Sequence, residues 1–140
     1  MSELFSGRIK LGGFFGPSEK VIYELKFERP TAEGEVRSIN MYRESDGDHL
    51  GKIEYLNNGD TIKLSVFNIL NWSNRKYAET LMEKFIKIMR KERISSIIHE
   101  MYDTDDKTHN KLALFKDFGF NVESRGNITG YNQYYLTLSF

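Results

Sequence analysis

An α+β fold, a mixed but mainly antiparallel sheet with two main helices packed on it, is predicted by three observations along this sequence of 140 residues. Strand patterns separated by turn signals fill the first half, and the apolar period changes to three and four after Trp72. Strand-like segments then return after each helix-like one. A strand after each helix requires at least one parallel crossover, and hence a mixed sheet.

Val21, Tyr23, Leu25 and Phe27 fall at a two-residue period among mostly polar neighbours, which predicts a half-buried strand over 21–27. Residues 28–34 read as a loop. Val36 to Arg43, Leu50 to Leu56 and Thr61 to Phe67 read as three further strands of an antiparallel meander. The stretches between them, 45–48 (Ser-Asp-Gly-Asp) and 57–60 (Asn-Asn-Gly-Asp), carry turn chemistry, and Asn-Gly supplies the positive φ of a tight hairpin. The opening stretch 9–17, with three glycines and one proline, reads either as a short edge strand or as a flexible or bulged segment. Tyr77, Leu81, Phe85 and Ile88, with Met82 and Met89 beside them, fall on one helical face and predict a helix over 74–92. Ile94 to Tyr102 reads as a buried strand and Lys107 to Phe118 as a second helix carrying Leu112, Leu114 and Phe115. Segments 120–124 and 134–140 read as the closing strands. With no internal repeat, low-complexity segment or linker, one domain is expected over 1–140.

Composition bounds the function. Cysteine is absent, which excludes disulfides, thiolate metal sites and a cysteine nucleophile. Twenty Lys+Arg stand against 20 Asp+Glu, so there is no basic excess of the kind a nucleic-acid binder concentrates on one face. No uncharged apolar run approaches the ~20 residues that span a bilayer, and the first residues carry no apolar leader core, so a soluble cytoplasmic protein is expected. Aromatic content of 14% with 2 prolines speaks for a packed fold, because such side chains bury much area.

The segment Leu114-Phe-Lys-Asp-Phe-Gly-Phe120 resembles the Leu-Tyr-x-x-x-Gly-Phe motif of the GNAT superfamily of acyl-CoA-dependent N-acyltransferases, in which a helix ends at glycine and a strand begins. The resemblance spans roughly residues 36–140, with the meander and the long helix in family order. It implies a GNAT-like sheet and an acetyl-CoA or CoA site. It also implies a pyrophosphate loop, Arg/Gln-x-x-Gly-x-Gly/Ala, at the start of the long helix, where glycines let backbone N–H groups approach phosphate at the positive helix end. Alignment by the helix apolar residues puts Ser73, Lys76 and Ala78 on the motif positions, and only Ala78 conforms. An alternative register starts at Arg75, with Ala78 and Thr80 next, but pushes Glu83 and Lys84 onto apolar helix positions. Ser73, Asn74, Arg75, Lys76, Tyr77 and Ala78 are therefore the loop candidates, read equally as a helix cap and a solvated first turn. The family's tyrosine, a general acid for the departing thiolate, is Phe115 here, and the usual upstream asparagine falls on Thr108. A phenyl ring donates no proton, so the resemblance leaves that role vacant. It also maps the backbone donor for the thioester carbonyl to Val66, Phe67, Asn68 or Ile69, where the family's fourth and fifth strands splay. Residues 28–34 cannot hold the two helices that the family places after its first strand, so those helices are missing. The acceptor side would then be open, rebuilt by 11–16, or closed by a partner chain.

Glu54, His99, Glu100 and Tyr102 are candidate bases by strand position, each equally readable as an ordinary sheet residue. Asp103, Asp105 and Asp106 gather before the second helix, with His109 one turn on, and the acidic residues are read as a cap for free N–H groups rather than as part of a metal site. Lys84, Lys87, Arg90, Lys91 and Arg93 approach a helix C-terminus, where cations are favoured. Two functions are expected from these features: an N-acetyltransferase acting on an unknown amine, or a GNAT-fold module without catalysis that senses a ligand or binds a protein. A homodimer through 134–140 or the Phe14-Phe15 segment would supply a missing acceptor wall.

Overall fold

The computed structural model describes residues 2–10, 18–70, 72, 75–104, 107–128 and 130–140. The chain runs β1 (Ser2–Lys10), β2 (Ser18–Thr31), β3 (Gly34–Arg43), β4 (His49–Asn57), β5 (Thr61–Ile69), α1 (Arg75–Lys91), β6 (Ser96–Tyr102), α2 (Lys107–Asp117), β7 (Asn121–Ile128) and β8 (Tyr131–Ser139). The strands make one eight-stranded sheet in the order β1-β2-β3-β4-β5-β6-β8-β7. Every neighbouring pair is antiparallel except β5 and β6, which α1 connects as a parallel crossover. The meander, the two helices and the mixed sheet stand as the sequence predicts.

Both helices lie on one face of the sheet. Ile53 opposes Phe67 and Gly51 opposes Ile69, so the four side-chain positions share a face. Leu81 of α1 packs on Gly51, where a Cβ would stand 2.9 Å from its Cδ2, and Phe115 of α2 meets the Phe67 ring edge-on at 5.5 Å. Tyr77, Ala78, Leu81, Met82, Phe85, Ile86 and Met89 are the buried stripe of α1. They cover Ile39, Met41, Ile53 and Tyr55, fully buried in the centre of the sheet. Burying this stripe, rather than helix propensity, holds a helix of this length in place.

Both helices end in a Schellman motif. At α2, Gly119 (φ 92°) donates to Lys116 O at 3.0 Å, and Phe120 N donates to Phe115 O at 3.0 Å while the two rings pack edge-on at 4.8 Å. This is the glycine stop of the 114–120 segment. At α1 the same bonds are Arg93 N to Arg90 O and Ile94 N to Met89 O, but the left-handed position carries Arg93 (φ 60°).

Two expectations are corrected. Residues 28–31 belong to β2, which continues past a bulge at Glu28 and turns only over 32–33. Charged residues and Pro30 are depleted in strands, yet β1 reaches no further than Lys26, so this end of β2 is an edge where such residues are tolerated. The first strand is Ser2–Lys10, ahead of the 9–17 stretch, whose residues 11–17 lie outside the described residues. Its alternation of Phe5, Gly7 and Ile9 is concealed by Gly7, which leaves room for the Tyr23 ring. The aromatic last strand, β8, lies between β6 and β7.

Candidate functional site

β5 and β6 pair only over Thr61–Leu64 and Ser96–His99, after which the strands part. Beyond that point lies a cleft of about 210 Å³, lined by β5 from Ser65 to Asn68, by β6 from His99 to Tyr102, and by Thr104, Thr108 and Lys111. Its β5 wall is primed for hydrogen bonding. Leu70 N donates to Leu50 O at 2.9 Å with Gly51 opposite Ile69, so the strand alternation turns the N–H and C=O of Phe67 away from β4 and toward the parted β6. A second bulge adds Ser65 between Leu64, opposite Tyr55, and Val66, opposite Glu54. Ser65 Oγ donates to Glu54 O at 3.0 Å.

On the β6 wall, His99 is buried, and its Nδ1 lies 2.7 Å from Leu64 O, the last paired residue of β5. That carbonyl can only accept, so Nδ1 carries the proton. Burial pushes the imidazole down to about 4, and its ring stacks on Phe115 at 5.2 Å. His99 thus clamps the point where the strands separate, in its neutral form. The Tyr102 side chain, by contrast, is exposed, and its hydroxyl accepts from Gln133 Nε2 at 3.3 Å.

The cleft therefore gathers Val66, Phe67, Asn68, His99, Glu100, Tyr102 and Thr108 from the sequence candidates. Ser65 and Lys111 were not foreseen, because a bulge and the turn of a helix toward a cleft leave no local signature. Phe115 does not line the cleft; it is fully buried behind it among Phe67, His99 and Phe120.

The first turn of α1 follows β5 and lies at the end of the sheet toward which β5 runs past its pairing with β6, so its free N–H groups and positive dipole end are close to the cleft end of the strand. Ser73 and Asn74 lie outside the described residues. Arg75 pairs with Asp117 of α2 and with Glu79 at 3.3 Å, and Lys76 stands 3.8 Å from Glu79. Ala78 is fully buried against the core. Tyr77 is buried too, and its hydroxyl donates to Glu19 Oε2 at 2.9 Å and accepts from Arg43 Nη2 at 3.3 Å. Arg43 also pairs with Glu19, and with Asp46 and Asp48 at 3.1 Å each, so this cluster ties the first turn of α1 to β2 and β3.

Glu54 faces the other side of the sheet, which carries no helix among the described residues. There it borders a groove of about 450 Å³ whose wall is the β2–β3 turn, Thr31 to Glu33. Ser65 lines both the groove and the cleft.

No known family model and no curated protein matches the sequence. Solved structures do. The chain superposes on the ribosomal-protein-S18-alanine N-acetyltransferase of Escherichia coli with a TM-score of 0.59 and 14% identity, over 73% of this chain and 67% of that one. It superposes on the spermidine/spermine N-acetyltransferase SpeG of Vibrio cholerae at 0.58 and 13%, over 74% and 66%. The third is the N-acetyltransferase PseH of Campylobacter jejuni in complex with acetyl coenzyme A, at 0.55 and 13%, over 78% and 70%. The chain has the GNAT fold. It spans about two thirds of the length of these structures. The parting of β5 and β6 falls beside residues 66–69, where the resemblance leads one to expect it. The chain departs from the GNAT pattern in passing from β2 to β3 through a two-residue turn, with no helix before α1 among the described residues.

Proposed function

We propose that this protein is a cytoplasmic acetyl-CoA-dependent N-acetyltransferase acting on an amine. The observation that carries the reading is the parting of β5 and β6 beside an outward-turned Phe67 N–H, within a GNAT fold. The residues present fit acetyl-CoA. The N–H and C=O of Phe67, between Val66 and Asn68 of the cleft lining, offer hydrogen bonds to an extended pantetheine arm, and the N–H is aimed where a thioester carbonyl would be polarised. The first turn of α1, from Arg75 to Ala78, offers helix N–H groups to the pyrophosphate. Thr108 and Lys111 close the α2 side.

In the overall reaction the amine nitrogen gains the acetyl group and loses two protons, one released and one ending on the sulfur, as the thioester C–S bond breaks and the sulfur leaves as a thiol. Glu54, joined to the cleft through Ser65, takes the ammonium proton directly or through water. Tyr102, a tyrosine among the residues that line the cleft, takes the role that Phe115 cannot fill. The chain contributes orientation and a fixed donor more than strong acid catalysis.

Isothermal titration with acetyl-CoA and with CoA tests the reading, followed by thiol release in the presence of amines. Micromolar binding and amine-dependent release are expected; absence of binding by folded protein overturns it. A second reading, a GNAT-fold sensor without turnover, is favoured by the burial of Phe115 outside the cleft and by the pairing of Arg75 with Asp117. Binding of acetyl-CoA with no release for any amine would select it.

A further inference from the structure

We infer that the acceptor is an α-amino acid with an apolar side chain, held in the groove on the helix-free face of the sheet. The inference rests on the acyltransferase reading and names its second substrate.

Its volume, about 450 Å³, falls within the ~300–1,000 Å³ range of small-molecule sites. The groove meets the cleft at one place, the Ser65 bulge, and there the sheet presents both signs of charge. Glu54 Oε1 stands 3.6 Å from Arg29 Nη2, while Lys52 Nζ lies 3.5 Å from Glu54 Oε2. Glu54 is mostly buried and so held in place, whereas the Arg29 side chain is 60% exposed and free to take a second partner. A carboxylate and a guanidinium set side by side are complementary to an ammonium and a carboxylate borne on one carbon. Lys63 adds a second cation to the groove wall, and Glu33 stands at the turn that bounds the groove. Between these charges the floor is apolar: Val36 is buried and Leu56 half-buried, with Ala32 above them on the turn. That surface suits a hydrocarbon side chain.

Two bulges create this arrangement. The bulge at Glu28 brings Arg29 opposite Val36, which lies on the same face as Ser38, Asn40 and Glu54. The bulge at Ser65 places Ser65 beside Val66 on the groove side of β5, opposite Glu54. An amine bound against Glu54 would thus sit at the opening that leads to Phe67.

The test compares leucine, leucinamide and isoamylamine, which share the amine and the hydrocarbon and differ in the carboxylate. Acetyl-CoA binding is measured first, then thiol release with each amine. Leucine should exceed leucinamide by at least ~10-fold in kcat/KM, the size expected for losing a charge-assisted contact. Arg29→Gln, at an exposed side chain, should raise KM for leucine toward that for leucinamide and leave acetyl-CoA affinity unchanged. Lys63→Gln should do so in smaller measure. Equal use of the three amines, or a preference for isoamylamine, overturns the amino-acid acceptor while leaving the acyltransferase reading intact. If acetyl-CoA does not bind, the acyltransferase reading falls and takes the acceptor with it.

Discussion

His99 holds its imidazole between the Leu64 carbonyl and the Phe115 ring, and burial keeps it neutral down to about pH 4. In the unfolded chain the same ring takes a proton near pH 6.5. As pH falls from about 6.5 to 4, the unfolded state gains a proton that the folded state does not, so stability is lost across that window, by up to about 3 kcal/mol. Urea midpoints at pH 7, 5 and 4 should fall, and the fall should shrink in His99→Asn; an equal fall in both would count against the assignment. At the cleft, Tyr102→Phe should lower kcat by about 10²-fold with little change in KM for acetyl-CoA. Phe115→Tyr should restore nothing, because that ring lies behind the cleft, and should cost about 1–3 kcal/mol by burying an unpaired hydroxyl. A gain in turnover from Phe115→Tyr would mean that the phenol reaches the cleft after all. Phe115 was legible as a core aromatic from its place on an amphipathic helix. The availability of Tyr102 was not, since strand parity alone does not say which face of β6 meets the opening.

The two helix ends form a matched pair at the scale of elements. Gly119 and Arg93 occupy the same left-handed position in the same hydrogen-bonded motif, but only glycine reaches it without a Cβ penalty. Arg93→Gly is therefore expected to stabilise the protein by roughly 0.5–1 kcal/mol, and Gly119→Ala to destabilise it by about 1 kcal/mol. Thermal unfolding with opposite shifts in Tm checks both; shifts of the same sign would contradict the motif. The stop at Gly119 was readable from Leu114 to Phe120, because a C-cap is encoded within one turn. The stop before Arg93 was readable from the end of the apolar stripe and the strand pattern at Ile94, but its left-handed conformation was not, since arginine carries no turn signal. Ala78 shows the same limit in the loop register. Its fit to the motif position is visible in sequence, but its complete burial means that Ala78→Asp would test folding before binding.

Taken as a whole molecule, the sheet and α1 are joined by the cluster of Glu19, Arg43 and Tyr77, which links β2 and β3 to the turn that opens the helix. Tyr77→Phe should cost about 1 kcal/mol of stability and weaken acetyl-CoA binding several-fold, while leaving KM for the amine unchanged. Titration beside amine kinetics checks it, and a change confined to the amine would place the cluster's role elsewhere. No helix among the described residues is long and apolar enough to cross a membrane. The sequence by itself determined the order of the elements from β2 onward, the meander, the helical stripe from Tyr77 to Met89 and the cap at Gly119, because periodicity and turn chemistry act over a few residues. Tertiary structure alone decided that β1 lines the edge, that β2 runs on to Thr31, and that Glu28 and Ser65 bulge. It also decided that β5 and β6 part beyond Leu64 and His99, so that a cleft and a groove meet at one serine. These depend on register between strands far apart in the chain, which is set by how the side chains of all neighbouring strands pack together and which no local pattern records.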